Sequence, residues 1–329
     1  MNNIERIKKI KHGGVKSLLE KAVELGIKIK FIPSKPTLIK LTFDKKVVFI
    51  KSGRVPLSKI MGSLTRNKEL TKTVLNEIGV KTPRGIVAKS FKEALPLITK
   101  NKLSYPLITK PLDGSLAAGV TWNIQSKGEL EKAIRFLKQT TKSKSFLVEE
   151  MFLGDEFRVL VFNKKVVSCV KKIPATIMGD GNSNIRKLIN NFNKKRIKGF
   201  EIKLDKIAEN TLKKNNLTLK SVIPRRFVLK LRNNLNMSDG GRCIECTKEM
   251  HPHFKMISEK AIEALGMTYG GIDFMTKDIT KNNNDYVILE VNPNPHYNMH
   301  EKPLVEGKGI DVSLNILKSI FPEIKKSKK

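Results

Sequence analysis

The chain alternates between segments of helical and of strand periodicity. Where apolar residues recur at three- and four-residue spacings, an amphipathic helix is predicted. Helices are predicted in this way at 4–25, 65–79, 90–99, 127–140, 252–265 and 310–320. Short runs rich in Val, Ile, Leu and Phe predict strands at 27–32, 37–43, 46–50, 105–111, 145–150, 227–232, 270–276 and 285–292. This mixture predicts an α/β (α+β) fold.

One pair of strands is predicted to form a hairpin. The segments EFRVLVF and KVVSCVKKI, within 156–173, both alternate, and Asn163-Lys164 lies between them. Two alternating runs separated by two turn-forming residues are typical of a β-hairpin.

The composition along the chain suggests a division into parts. We expect a small α/β leader at 1–64, a main domain at 65–322 and a basic tail at 323–329. Within the main domain, a compact β-loop-β-α-β unit at about 100–150 is predicted to be a mobile lid. A stretch rich in Lys and Asn at about 179–225 is predicted to be a helical insertion.

The strongest chemical signal is a set of oxygen-bearing side chains near the end of the chain. Glu290 and Asn292 are two residues apart in VILEVN, so both project from one face of a strand. Asp273, in GGIDFMT, lies opposite them if the two strands pair through 277–285. Both acids are flanked by apolar residues, and a buried unpaired charge is costly. Because Mg²⁺ prefers oxygen ligands, the set predicts a magnesium site, with Mn²⁺ as an alternative ion.

A lysine offers the complementary charge. Lys110 ends the apolar strand YPLITKP, directly before the loop LDGSLAAGV. A cation beside a loop whose backbone N–H groups are accessible suits a phosphate group.

The net charge is high but does not by itself indicate nucleic acid. Lys and Arg number 64 against 31 Asp and Glu, giving +33. Of the 64, 52 are Lys and 12 are Arg, while aromatic residues make up 6%. Because base and phosphate recognition favours Arg forks and stacking rings, nucleic acid is not expected as the main partner, whereas anionic substrates are.

The expected cellular location is based on the absence of long apolar segments and on the cysteine content. No apolar run approaches the roughly 18 residues needed to cross a bilayer, and no apolar stretch follows the basic start. Three cysteines suit a reducing compartment. We therefore expect a cytoplasmic protein without a membrane partner; a homo-oligomer is compatible with the sequence.

Seven motifs resemble those of one enzyme family. They occur in order as NKELTKTVLNEIGVKTPRG, ITKPLDG, VEEMFLGDEFRVLV, KIPATIMGDGNSNIRKLI, LRNNLNMSDGG, GGIDFMTKDI and ILEVNPNPHYNMHEKP. Together they resemble the ATP-grasp ligase module of cyanophycin synthetase and the glutathione-synthetase half of bifunctional γ-glutamylcysteine synthetase/glutathione synthetases. The resemblance spans roughly 15–322 and implies an ATP-grasp fold.

The resemblance also implies roles for individual residues. ATP phosphates would contact Lys68 and Lys110, the adenine hinge would be Glu149, Glu150 and Met151, and the ribose would be held by Glu156. It assigns Mg²⁺ to the same trio, Asp273, Glu290 and Asn292. Catalytic cations would be Arg232 and Lys172, the latter where relatives carry Arg, and the acceptor-carboxylate loop would contain Ser238, Gly240 and Gly241.

The implied activity is ATP- and Mg²⁺-dependent ligation of a carboxylate to an amine through an acyl phosphate, with amino acids or short peptides as substrates. We expect a free-standing enzyme, because the additional domains of cyanophycin synthetase do not fit in 329 residues. Two alternatives are a glutathione-synthetase-like ligase and a catalytically weak ATP-binding protein that docks polyanions. Both ligase hypotheses require Asp273, Glu290 and Asn292 together, whereas a weak ATP-binding protein does not.

Overall fold

The structure is a computed structural model. It describes residues 3–10, 13–31, 38–44, 46–51, 65, 67–112, 119–302 and 304–325. Part of the predicted leader, most of the predicted loop after Lys110 and the end of the predicted basic tail therefore lie outside the described residues.

Most helices begin at a polar residue whose side chain accepts a hydrogen bond from the first turn. Asn67, Ser90, Ser126, Asn184 and Asp205 act in this way, satisfying N–H groups that have no partner within the helix. The described helices are α1 (Asn3–Lys8), α2 (Gly13–Glu24), α3 (Lys68–Glu77), α4 (Phe91–Lys100), α5 (Lys127–Thr140), α6 (Ile185–Lys194), α7 (Lys206–Lys214), α8 (Pro252–Ala264) and α9 (Val312–Ile320).

The strands occupy the predicted apolar runs, with a few additions. They are β1 (Lys28–Phe31), β2 (Leu38–Phe43), β3 (Lys46–Lys51), β4 (Gly85–Ala88), β5 (Leu107–Pro111), β6 (Thr121–Ile124), β7 (Phe146–Glu150), β8 (Asp155–Phe162), β9 (Lys165–Ile173), β10 (Thr176–Met178), β11 (Val228–Lys230), β12 (Arg242–Glu245), β13 (Tyr269–Thr276), β14 (Tyr286–Asn292) and β15 (Val305–Glu306). Among the described residues, no helix has both the length and the apolar character needed to cross a membrane.

One helix prediction is wrong. The segment 4–25 was expected to be continuous, but α1 ends at Lys8 and α2 begins at Gly13. Two successive glycines at 13 and 14 are poor interior helix residues, and here they form the first turn of α2 instead. The Tyr297 hydroxyl donates a hydrogen bond to the Gly14 carbonyl, which fixes this turn.

The chain divides into two compact units. Unit 1 comprises Met1–Ser168, Lys248–Tyr297 and Ser313–Lys329, and unit 2 comprises Cys169–Thr247 and Asn298–Val312. Strand β9 contributes residues to both. The segment predicted to be a helical insertion, 179–225, lies within unit 2 and contains α6 and α7.

Unit 1 contains a four-stranded antiparallel sheet in the order β4-β7-β5-β6. One face packs against α4 and α5 through a buried apolar cluster that includes Ile86, Leu107, Phe146 and Val148. Because side chains alternate between faces, Glu149 and Lys110 lie on the face opposite the two helices. One face of the sheet therefore carries charged side chains, and the other packs against α4 and α5.

A second antiparallel sheet in unit 1 runs in the order β14-β13-β8 and continues into β9. The predicted hairpin is confirmed: Asn163 and Lys164 have φ values of 50° and 60° and join β8 to β9. The predicted pairing of β13 with β14 is also confirmed. A separate three-stranded sheet in this unit has the order β1-β2-β3.

In unit 2, β12 pairs antiparallel with β9 and parallel with β15. The two-stranded sheet β10-β11 packs with α6 and α7 around a core of aliphatic side chains that includes Ile185, Ile189, Leu212 and Leu229. This core holds the exposed, lysine-rich surfaces of the two helices in place.

Candidate functional site

A buried carboxylate bridges two lysines in unit 1. Glu149, on the central strand β7, accepts from Lys72 Nζ at 2.8 Å through Oε1 and pairs with Lys110 Nζ at 2.6 Å through Oε2. Lys110 is a diagonal neighbour on β5, whose Ile108 is the direct partner of Glu149. Two ammonium groups against one carboxylate leave a positive charge on this face.

Burial by itself would raise the pKa of Glu149, but Lys110 and then Lys72 outweigh it, and the pKa of the carboxyl is held below its ordinary value. Glu149 therefore stays ionised at neutral pH. The ionised Glu149 carboxylate holds both lysine side chains in fixed positions on this sheet face.

Helix α3 supplies Lys72 together with Lys68. The helix begins after Asn67, whose side chain accepts from the N–H groups of Glu69 and Leu70 at 3.0 and 3.1 Å. Residues four apart lie on the same helix face, so Lys68 and Lys72 are neighbours. Both line a small cavity of about 10 Å³ that Glu290 also lines.

Lys72 is a residue that the sequence did not single out. The resemblance assigned the phosphate contact to Lys68, one helical turn earlier. The structure brings Lys72 into an ion pair with Glu149. The sequence around Lys72 does not distinguish it from the other lysines of the chain. Its contact with Glu149 depends on the position of β7 in the fold.

The residues expected to form the adenine hinge follow one another at the end of β7. The Glu150 carboxylate accepts from the Ser104 N–H at 2.9 Å and lies 3.4 Å from Arg84 Nη1. The Met151 N–H donates to the Pro106 carbonyl at 2.9 Å. Glu150 and Met151 are therefore held by neighbouring backbone, and the role of all three hinge residues in binding adenine stays a prediction.

A second buried ion pair joins β8 to β13. Arg158 Nε donates to Asp273 Oδ1 at 2.8 Å, and Nη2 donates to Oδ2 at 2.9 Å. The two residues are direct partners in the sheet. Gly271 makes room for this arrangement, since a Cβ there would lie 3.2 Å from Arg158 Cδ and 2.6 Å from Pro295 Cβ. The fork geometry fixes the orientation of the Asp273 carboxylate.

Glu290 and Asn292 lie beside Asp273, as the strand pairing predicted. Glu290 is the direct partner of Asp273, and the Asn292 side-chain N–H group donates to Asp273 Oδ2 at 3.0 Å. The register then shifts: Phe274 pairs with Ile288, which leaves Leu289 as an extra residue. A bulge of this kind re-aims the neighbouring side chains.

Of the three predicted metal ligands, Asp273 already accepts from Arg158 and Asn292, so Glu290 and Asn292 offer the more accessible oxygens for a divalent cation. Glu290 is half-buried and its charge interacts with Arg158. The Asn292 side chain uses its N–H group toward Asp273, which leaves its carbonyl oxygen for another contact. Both can donate to a cation. Nowhere in the described ranges do three or more His, Cys, Asp or Glu side chains gather into a metal-binding group. Two carboxylates and one amide oxygen suit Mg²⁺, which shares its ligands with phosphate and water.

Arg158 is a second residue that the sequence analysis missed. Burial alone would lower the pKa of Arg158, but Asp273 and, more weakly, Glu156 and Glu290 raise it, so the guanidinium remains charged. Glu156, assigned to the ribose by resemblance, is the direct partner of Met275. Arg158 offsets part of the negative charge that these acids concentrate on one sheet face.

In unit 2, the predicted catalytic arginine is buried. Arg232 Nη2 donates to the Lys203 carbonyl at 3.0 Å and pairs with Asp205 Oδ2 at 2.6 Å. Asp205 also caps α7, accepting from the Ile207 and Ala208 N–H groups. The Arg232 Nε–H is buried and has no hydrogen-bond partner among the residues described. One edge of the guanidinium is fixed and another has hydrogen-bonding capacity left.

The predicted substrate loop is a tight turn. Ser238 is exposed in a 3₁₀ helix, Met237–Asp239, that ends at Gly240 with φ of 90°. A Cβ at Gly240 would lie 2.5 Å from Ile202 Cγ1, and one at Gly241 would lie 2.7 Å from the Asn236 carbonyl oxygen. Both glycines are therefore required by close packing and, at Gly240, by a left-handed backbone. Lys172, also in unit 2, is the direct partner of Cys243 across β9 and β12.

Comparison with known proteins identifies the family. A family model described as an ATP-grasp domain matches residues 65–296. Cyanophycin synthetase of Crocosphaera subtropica is 34% identical over 268 residues, 79% of this chain and 30% of that protein. The glutathione biosynthesis bifunctional protein GshAB of Mannheimia succiniciproducens is 27% identical over an alignment of 330 residues, 94% of this chain and 42% of that protein. The chain thus spans less than half the length of these relatives.

A solved structure agrees with the sequence relatives. The crystal structure of a bifunctional glutathione synthetase from Pasteurella multocida superposes with a TM-score of 0.74 and 25% identity, covering 94% of this chain and 44% of that one. The predicted resemblance and the predicted fold are both confirmed. The chain belongs to the ATP-grasp family of ligases.

Proposed function

We propose that this chain is an ATP- and Mg²⁺-dependent ligase that joins a carboxylate to an amine through an acyl phosphate. The observation that carries the proposal is the buried Glu149 held between Lys72 and Lys110, since this cluster offers two fixed ammonium groups to a phosphate. Family membership supplies the reaction class.

The proposed reaction has two steps. A substrate carboxylate oxygen attacks the γ-phosphorus of ATP and ADP leaves. An amine nitrogen then attacks the acyl carbon, phosphate leaves, and the nitrogen loses a proton to form the amide. In this proposal Lys72 and Lys110 neutralise charge on the phosphates, and Glu149 holds the two lysines in place. Bound Mg²⁺, held by Asp273, Glu290 and Asn292, would neutralise further phosphate charge.

The remaining assignments rest on the resemblance. We propose that Lys68 also serves the phosphates, that Glu149, Glu150 and Met151 border the adenine, and that Glu156 holds the ribose. Arg232 and Lys172 would stabilise the transferring phosphate, and the turn with Ser238, Gly240 and Gly241 would seat the acceptor carboxylate. We propose amino acids or short peptides as substrates and the cytoplasm as the location.

The test is ADP release measured over a panel of amino acids and dipeptides supplied singly and in pairs. For a ligase, steady-state ADP release should be highest when a carboxylate and an amine substrate are supplied together, because the amine consumes the acyl phosphate formed in the first step. The competing proposal, a weak ATP-binding protein that docks polyanions, is favoured by the +33 charge. It predicts no stimulation by any pair, together with salt-sensitive binding to polyanions.

The matched variants are Glu290→Gln and Glu249→Gln. Glu290→Gln removes a proposed Mg²⁺ ligand and should abolish turnover while leaving the thermal midpoint close to that of the parent. Glu249 is exposed, and Glu249→Gln should leave turnover unchanged. Retained turnover in Glu290→Gln would contradict the proposed metal ligands.

A further inference from the structure

Two thiols face each other across neighbouring strands of unit 2. Cys169, on β9, is fully buried, and Cys246, directly after β12, is half-buried. Their sulfur atoms lie 3.6 Å apart, and the Cys246 sulfur also lies 3.5 Å from the Cys169 carbonyl oxygen. Neither residue takes part in the proposed ligase chemistry.

Strand pairing brings the two cysteines together. Strands β9 and β12 pair antiparallel as far as Val170 and Glu245. The ladder continues by one step, because the Cys246 N–H donates to the Cys169 carbonyl at 2.9 Å and the Cys169 N–H donates to Thr247 Oγ1 at 2.8 Å. Directly opposed residues of an antiparallel pair have Cα atoms about 4.5–5.5 Å apart, within the range of about 4.4–6.8 Å that a disulfide spans. The backbone therefore has the spacing that a disulfide requires.

The third cysteine lies on the other face of the sheet. Cys243 precedes Cys246 by three residues, so the alternation of side chains along a strand places the two on opposite faces. Cys243 packs there in an apolar cluster with Val170, Leu304 and Val305. It is therefore a natural control for the reactivity of the pair.

The pair joins both ends of the main segment of unit 2. That segment is Cys169–Thr247, so a bond between Cys169 and Cys246 would close almost all of it into one loop. A cross-link that closes a long loop reduces the conformational entropy of the unfolded chain and thereby stabilises the folded one. Such a bond would act on the whole segment and not on one turn of it.

We propose that Cys169 and Cys246 form a reversible disulfide that stabilises unit 2 under oxidising conditions. The oxidant is a small-molecule disulfide. The Cys246 thiolate, which is the more accessible of the two, attacks one sulfur of the oxidant, so that a mixed disulfide forms and one thiol leaves. The Cys169 thiolate then attacks the Cys246 sulfur, the mixed disulfide breaks and the second thiol leaves.

This exchange balances. The protein loses two electrons and two protons, the oxidant gains the electrons, and the protons end on the two released thiols. In a reducing compartment the reverse reaction keeps both cysteines as thiols. The bond therefore forms only when the balance of small thiols and disulfides shifts toward the disulfides.

The test treats the full chain with hydroxyethyl disulfide and its reduced form, 2-mercaptoethanol, in the absence of nucleotide. This oxidant has neither a carboxylate nor an amine and cannot be a substrate of the proposed ligase, so the two proposals fail independently. Alkylation in denaturant followed by mass spectrometry counts the remaining thiols. We expect three thiols before oxidation and one after it, with no oxidant attached to the chain.

Three variants assign the bond. Cys243→Ala should lose two thiols as the parent does. Cys169→Ala should stop at the mixed disulfide on Cys246, because no neighbouring thiol displaces the bound oxidant. Cys246→Ala should slow the loss of thiols about tenfold or more, because both remaining cysteines are buried. Cys246→Ala changes a half-buried side chain and remains informative even where the buried Cys169→Ala substitution unfolds the chain.

Thermal unfolding tests the stabilising role. The oxidised parent should have a midpoint about 3–10 °C above that of the reduced parent, and a reductant should restore the lower value. A mixed disulfide that persists in the parent, or loss of thiols from Cys246→Ala at the parental rate, would overturn the pairing. An unchanged midpoint after the loss of two thiols would overturn the stabilising role.

Discussion

The charged clusters of unit 1 and an open cleft of unit 2 use the same residue types in opposite ways. In unit 1, Arg158 is matched by Asp273, and Glu149 is shared by two lysines, with every contact between 2.6 and 2.9 Å. In unit 2, the described lining of the cleft beside β12 contains one carboxylate, Glu306, and four cations, Lys195, Arg196, Arg242 and Lys302. Unit 1 satisfies most of its buried charge internally, whereas cations outnumber carboxylates in the cleft.

This difference separates two roles of charge. Internally matched pairs fix side chains in place, and removing one partner exposes the other to the full cost of burial. A partly solvated, unmatched cluster contributes little to folding. Variants that break the matched pairs of unit 1 should therefore change stability strongly, while variants in the cleft should leave stability nearly constant.

The largest effect is expected for Arg158→Met. The variant leaves the buried Asp273 carboxylate without its cation and should lower the free energy of unfolding by about 3–5 kcal/mol. The double variant Arg158→Met/Asp273→Leu should recover most of that loss, because no buried charge then remains unpaired. Urea unfolding of the parent, both single variants and the double variant gives the coupling energy; additive losses would contradict the matched-pair interpretation.

A smaller loss is expected for Glu149→Gln. The amide cannot neutralise Lys72 and Lys110, and we expect unfolding to become easier by about 2 kcal/mol at neutral pH. Since the folded pKa of Glu149 lies below its ordinary value of 4.5, its stabilising contribution is complete above that value and declines as pH falls through the lowered pKa. Urea unfolding of parent and variant at several pH values should show their difference constant above about pH 5 and shrinking below 4.5.

Next comes Gly85→Ala, which tests how tightly Glu149 is held. A Cβ at 85 would lie 2.6 Å from Glu149 Cγ and 2.7 Å from the Val148 carbonyl oxygen, so the strand must shift. We expect a loss of about 1–2 kcal/mol in chemical denaturation. Gly128→Ala, in the first turn of α5 where a Cβ meets no atom within 4 Å, is the control and should instead stabilise the fold by about 0.5–1 kcal/mol.

The smallest effect on stability is expected for Arg242→Gln. It removes the half-exposed pair with Glu306 but also relieves the repulsion with Arg196, so the free energy of unfolding should change by less than about 0.5 kcal/mol. A loss as large as that of Arg158→Met, measured by the same denaturation, would erase the contrast between the two regions.

Much of the fold could be predicted from the sequence, because periodicity and turn chemistry are local. The hairpin at Asn163-Lys164 and helix α5 both follow the predicted segments. The pairing that brings Glu290 opposite Asp273 was also predictable, since the connection 277–285 is short enough for an antiparallel pair. The break between α1 and α2 was missed because the apolar spacing continues across Gly13 and Gly14.

The partners of the charged residues could not be predicted in this way. Arg158 looked like one polar position in an alternating strand, and only the register of β8 against β13 shows that it meets Asp273. Lys72 differs from Lys68 by one helical turn, and the position of β7 decides which of them reaches Glu149. In the cleft, Arg242 and Lys302 are remote in the sequence and meet only through the folding of unit 2.

The ion pair between β8 and β13 also bears on how the sheet assembles. Arg158 and Asp273 are direct partners, so a one-residue slip of either strand would place Arg158 opposite Ile272 or Phe274, whose side chains are on the other, fully buried face. Such a misaligned sheet would turn one of the two charged side chains into apolar surroundings and leave the other without its partner. The pair therefore favours the native strand alignment over a one-residue slip.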